Sequence, residues 1–180
     1  MSERTSSILF TAEHTYRLTP HARWTLRRLG TMLLGLSVFM VSIGVNMLPG
    51  RDGLLTWFVA VFFTVFPILF FAIGCMHWYN AKRMHLTFTL DTFRIQACGY
   101  TLTCAWSNVS RIGIRRGEEW LFLDQPAEVV GLLRWLPRLY QLDRFIRLNS
   151  WGQWWGSNEL AQDLRQTIPH IVEETGSGHK

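Results

Sequence analysis

The side chains able to do chemistry in this sequence are few and dispersed. Histidines stand at positions 14, 21, 77, 85, 170 and 179, none in a metal-ligand spacing with Cys, Asp or Glu. His77 and His85 flank the end of a long apolar run, where a cofactor could meet them, although interfacial histidines are commonplace. Glu118 and Glu119 form an acidic pair beside Gly117. Paired carboxylates can serve acid–base chemistry, but in a glycine turn they read as a solvated hairpin tip. Cys75, Cys98 and Cys104 make neither a CxxC pair nor an even disulfide framework. No Walker loop, GxGxxG or GxSxG motif occurs, and no serine has a base close by in sequence. We therefore expect a non-enzymatic protein with no metal and no cofactor.

Two other groups of residues suggest binding. Arg111, Arg115 and Arg116, with Lys82 and Arg83 nearer the apolar run, suit anionic lipid head groups at about 1 kcal/mol per charge. The plainer alternative makes them solubilising strand residues paired with Glu118 and Glu119. The second group is aromatic and apolar: Leu133, Trp135, Leu136, Trp151, Trp154 and Trp155, with Arg134 and Arg138 on the opposite face. It suits a domain core, a segment lying in the head-group layer, or a docking face for another membrane protein.

These residues must be positioned by an uneven chain. It has 180 residues, 48% hydrophobic, with 17% charged against a typical quarter, and the apolar excess lies between Leu29 and Tyr79. Leu29 to Leu48 carries no charge and at helical rise covers roughly the 30 Å of a hydrocarbon core. Leu54 to Tyr79 is a second, longer uncharged run. Pro49 to Gly53 is turn sequence, so the two runs predict an antiparallel transmembrane hairpin. Thr19 and Pro20 suit the N-cap and first position of the first helix. Arg23, Arg27 and Arg28 on one flank and Lys82 and Arg83 on the other outweigh the lone Arg51, which places both termini in the cytosol. The first run is too long and too late for a cleaved signal peptide. With no Asp, Glu, Lys or Arg in either span, an ion path or transporter core is not expected.

The net charge of +5 belongs to the flanks of these runs. From Lys82 to Lys180 there are twelve basic and ten acidic side chains, a balance that points away from nucleic acid. In this stretch the period becomes that of strands. Leu86, Phe88 and Leu90 alternate with polar residues, as do Phe93, Ile95 and Ala97, then Leu102, Cys104 and Trp106. Val109 to Arg115, with Ile112 and Ile114 on one face, Trp120 to Leu123 and Arg144 to Leu148 complete an antiparallel meander of five or six strands. Val129, Leu132, Leu133, Leu136 and Tyr140 fall at helical spacing and predict an amphipathic helix broken near Pro137. Ser157 and Asn158 would cap a closing helix over Glu159 to Val172, with Leu160, Leu164, Ile168 and Ile171 inward and Pro169 a kink or early end. The expected organisation is a cytosolic segment over 1–19, whose residues 8–18 suit a strand, a hairpin over 20–83, a β domain over 84–172 and a disordered tail over 173–180.

The order of these pieces resembles the bacterial YcxB-like membrane proteins. The phrase Leu102-Thr-Cys-Ala-Trp106-Ser-Asn-Val109-Ser-Arg-Ile112 is similar to their W-S-x-I-x-x-I strand, Tyr16-Arg-Leu-Thr19 to their lead-in, and Trp120-Leu-Phe-Leu123 to their next apolar strand. Their Ile-Pro-basic stretch before the last helix has no proline in the matching Phe145 to Trp151. The resemblance implies an α+β membrane protein: a transmembrane hairpin with a C-terminal pleckstrin-homology-like antiparallel β domain, closed by a helix, in the bacterial inner membrane. The function expected is a membrane-tethered interaction module that binds lipid, a membrane-protein partner or its own copies. The alternative is an accessory subunit of a larger complex, packing through Gly30, Gly35, Ser37, Ser42 and Gly44.

Overall fold

The computed structural model describes residues 13–47, 53–115, 118–152 and 159–168. The fold is α+β, and the chain divides into two compact units, Leu18–Met84 and the remainder on either side of it.

The first unit is two packed helices, α1 (Pro20–Met47) and α2 (Leu54–Arg83), each long and apolar enough to cross a membrane. Helix α1 starts where Thr19 and Pro20 predict: the Thr19 hydroxyl accepts from the Ala22 amide at 3.3 Å, and its carbonyl accepts from Arg23 at 3.0 Å. Helix α2 ends with Lys82 and Arg83 on its dipole-negative end, where the extended Met84 donates to the Asn80 carbonyl at 2.9 Å. Helix α1 begins before the uncharged segment 29–48, and α2 continues beyond the end of the segment 54–79. Of the expected turn over Pro49 to Gly53, only Gly53 falls among the described residues.

The helices approach closely because glycine replaces side chains where they meet. A carbon at the Cβ position of Gly74 would stand 2.9 Å from Leu34 Cγ and 3.0 Å from the Gly30 carbonyl oxygen. One at Gly30 would stand 3.0 Å from the Gly74 carbonyl, and one at Gly44 would stand 2.8 Å from Phe63 Cβ. Between them Ser37 donates to the Pro67 carbonyl at 2.8 Å. Gly30 with Gly74, Ser37 with Pro67 and Gly44 with Phe63 are pairings that run in opposite directions, so the helices are antiparallel. Gly35 is different, since a carbon there would meet nothing within 4 Å. Gly74→Leu should therefore lower the stability of the helical unit by about 1–3 kcal/mol through forced separation, with Gly35→Ala neutral or mildly stabilising. Thermal unfolding of the full chain in detergent reads both, and equal effects would contradict the packing.

The second unit contains two antiparallel sheets. One has the order β1-β2-β3-β4-β7, from His14–Arg17, His85–Phe88, Thr92–Ala97, Tyr100–Ala105 and Glu128–Val130. The other has the order β5-β6-β8, from Val109–Arg115, Glu118–Leu123 and Phe145–Arg147. Alternation buries Leu86, Phe88, Phe93, Ile95, Leu102 and Cys104 from the first sheet and Ile112, Leu121, Leu123 and Ile146 from the second. Helix α3 (Trp135–Leu139) is a single turn, and α4 (Glu159–Thr167) buries Leu160, Ala161 and Leu164, with Ile168 beyond it also buried. Trp106 closes the core from a 3-10 turn after β4, not from the strand itself. Its ring lies 4.7 Å from Phe88 and 4.9 Å from Phe93 between centroids, and its indole donates to the Thr89 carbonyl at 3.0 Å.

Several expectations need correction. Val129 does not begin a helix; it is the buried middle residue of β7, paired with Leu102. Residues 129–140 have the apolar spacing of a helix, but pairing with β4 captures the first of them and Gly131 (φ 128°) turns the chain out of regular structure. Among the described residues seven strands follow α2, in place of the expected five or six. Leu90 and Ile114 are exposed, the first because it sits in the β2–β3 turn, the second on β5 although its cross-strand partner Glu119 is buried. Glu119 is buried, not at a solvated tip, because β6 includes it with its side chain on the inward face beside Leu121 and Leu123. Residues 8–12, Gly117, Ser157, Asn158, Pro169, Ile171 and the tail 173–180 lie outside the described residues.

Candidate functional site

Among the described residues, the apolar and basic side chains singled out above do not form one surface. Leu133 folds inward: its amide donates to the Gly99 carbonyl at 2.9 Å, and its side chain occupies the space that a Cβ at Gly99 would need. Leu136 is half-buried, and Trp151 is buried in the core. Arg134, Trp135 and Arg138 point outward, joined by Leu139 and by Leu132 and Tyr140, which the helical reading had put on one apolar face with the half-buried Leu133 and Leu136. Leu132 is 89% exposed and Trp135 56%. Trp154, Trp155 and Arg116 lie outside the described residues, as does the side chain of Arg115. Arg111 lies on β5, in the other sheet, with its guanidinium 4.5 Å from the Phe122 ring centroid. Glu118 pairs with Arg147 of β8.

The exposed turn is built rigidly. Gly131 carries a backbone that an L side chain would strain, and a Cβ there would stand 2.8 Å from Tyr100 Cα. The Leu136 amide donates to Leu133 at 2.9 Å, Gln141 to Arg138 at 3.1 Å, and Leu142 to Pro137 at 2.8 Å, with Pro137 buried beneath. Gln141 takes a positive φ of 56° to leave the turn. From Gly131 to Leu142 there is no acidic residue. The turn thus presents large apolar side chains and two cations on a fixed frame. Gly131 and Pro137, six residues apart, were the available signal against a long helix here.

A second feature is an open cleft of about 570 Å3 lined by Thr92, Thr103, Cys104, Asn108, Asp124 and Glu128 among others. Asn108 braces it: its amide accepts from the Gln125 amide at 2.8 Å and donates to the Gln125 carbonyl at 2.9 Å and to the Cys104 sulfur at 3.3 Å. Burial pushes the Cys104 thiol up, and the Asn108 contact opposes this only in part, so the reactive thiolate is disfavoured.

The third is a polar cluster between β1 and α4. The buried Asp163 carboxylate accepts from His14 Nδ1 at 2.6 Å and from the Tyr16 hydroxyl. Burial pushes the Tyr16 phenol up, and the hydrogen bond and charge of Asp163 and the charge of Glu159 push it further. A group whose pKa is higher folded than unfolded stabilises the fold below its unfolded value, about 10 for tyrosine, and that stability is lost as pH rises above it. Tyr100, raised by burial, has the same sign. Denaturant titrations should show an alkaline decline beginning near pH 10 that Tyr16→Phe makes shallower. An unchanged slope would contradict this coupling.

Among the described residues, no three of His, Cys, Asp and Glu gather as a metal site. Comparison with protein-family models, with curated proteins and with solved structures finds no match to this chain.

Proposed function

We propose that the chain is a multi-pass membrane protein whose α1–α2 hairpin anchors a non-enzymatic interaction module at the cytosolic face, where it binds anionic lipid or a partner protein. The observation carrying this is the exposure of the two apolar helices. Only 22% and 11% of their most apolar windows are buried within the chain, and Trp57 and Phe58 are 75% and 70% exposed. The core helices of a soluble protein bury such faces, whereas a bilayer covers them without any protein partner. The arginine and lysine excess on both outer flanks supports cytosolic termini, and the YcxB-like resemblance supports a bacterial inner membrane and a pleckstrin-homology-like reading of the β unit. Links of two residues and one join the helices to β1 and β2, so the module is a tethered one.

The accessory-subunit reading keeps a narrower basis. Gly30, Ser37 and Gly44 are used inside the hairpin, which leaves Gly35 and Ser42 on the outward face of α1 for a neighbouring protein. Mild-detergent purification of the full chain from native membranes, with sizing and mass spectrometry, separates the two. A freestanding module elutes alone or with its own copies and lipid. A stoichiometric larger protein would replace the module reading with the subunit reading.

A further inference from the structure

We infer that the Gly131–Tyr140 turn docks on an anionic lipid surface, with Leu132, Trp135, Leu139 and Tyr140 in the head-group layer and Arg134 and Arg138 against its phosphates. This rests on the membrane-anchored reading and adds to it a second, peripheral contact made by the β unit.

Four exposed large apolar side chains within nine residues are unusual for a surface facing only water. They are not there through looseness, because the backbone hydrogen bonds of the turn, Gly131 and the buried Pro137 hold the frame while the inner side, Leu133 and Leu136, anchors it to the domain. The mixture suits a head-group layer better than hydrocarbon. Indole and phenol rings have an apolar body and a polar end, and an arginine can keep its charge at phosphate depth while its stem lies along apolar neighbours. Charge selects the occupant. With two arginines and no acidic residue from Gly131 to Leu142, the turn complements an anionic surface. A second copy meeting the same turn across a two-fold axis would set these arginines against each other.

The test uses the full chain in vesicles, cysteine-free apart from a fluorescent, environment-sensitive label at Leu132→Cys, or at Gln96→Cys on the exposed face of β3 as a reference. In vesicles of phosphatidylcholine with phosphatidylglycerol, the label at 132 should shift to the blue, be quenched by nitroxide-bearing lipid and resist aqueous iodide. The label at 96 should show none of this. Arg134→Gln with Arg138→Gln should move the docking equilibrium about thirtyfold toward the undocked state, about 2 kcal/mol for two charges, as does omitting phosphatidylglycerol. Iodide access at 132 equal to that at 96 overturns the inference. Protection from iodide without nitroxide quenching also overturns it, by showing that protein covers the turn. Alkaline carbonate washing of the same vesicles separates the two levels: a chain that stays with the lipid keeps the anchor whatever the label shows, and a chain washed off overturns the anchor and the docking with it.

Discussion

Trp106→Ala is expected to lower the stability of the β unit by about 3–5 kcal/mol, a large part of what a domain of this size possesses. The indole is buried, lies edge-on to Phe88 and tilted against Phe93, and ties β2, β3 and β4 together at one point. Its own amide donates to the Asp91 carbonyl at 3.0 Å and its ring nitrogen to Thr89 at 3.0 Å, so the β2–β3 turn hangs from this residue. Trp106→Phe keeps most of the ring contact and gives up the hydrogen bond, and should cost about 1–2 kcal/mol. Hydrogen exchange on the full chain in detergent reads both variants. The alanine variant should lose protection across Leu86 to Cys104, and the helices should be unaffected. Full protection in the alanine variant would show that the core is held elsewhere.

Asp163→Ala should cost about 2–3 kcal/mol, through loss of two hydrogen bonds to a buried carboxylate. Its partner His14 is 149 residues away, so this one side chain joins β1, at the edge of the larger sheet, to the closing helix α4. The cost stops short of that for a fully buried ion pair because His14 is nearly half exposed and regains water when Asp163 is removed. The loss should be local and paired: the amides of His14–Arg17 and Glu159–Thr167 exchange faster together, and those of β5 and β6 do not change. Asp163→Asn, which keeps the shape and one acceptor, should fall between. Loss of protection in only one of the two segments would refute the link.

How much of this was legible in the sequence depended on how many residues each signal spans. The two helices were legible because a membrane-length apolar run needs twenty or so consecutive side chains to agree, and Thr19 with Pro20 marked the first start. The strand pattern was legible from Leu86 to Cys104 because alternation there survives three strands in a row. Strand β7 was not, since the three residues Glu128–Val130 cannot show a period, and Val129 with Leu132, Leu133 and Leu136 imitates a helix. That error carried the site with it: Leu132 and Tyr140 were grouped on one face with Val129, Leu133 and Leu136, yet the first two are exposed, Val129 is buried, and Leu133 and Leu136 are partly buried. Glu119 was misread for a related reason, because two adjacent acids look like a tip when the strand holding them begins one residue earlier. The Asp163 cluster had no sequence signal at all, since nothing local in His14, Tyr16 or Asp163 indicates that opposite ends of the chain meet.

In the proposed topology α1 and α2 cross the bilayer and leave both termini on the cytosolic side. The most direct measurement is labelling of single cysteines with a membrane-impermeant maleimide in intact bacterial cells expressing the full chain, placed at Asp52→Cys between the helices and at Gln96→Cys in β3. The account predicts labelling at position 52 in intact cells and at position 96 only after the membrane is permeabilised. Equal labelling of both in intact cells, or of neither until permeabilisation, would contradict it.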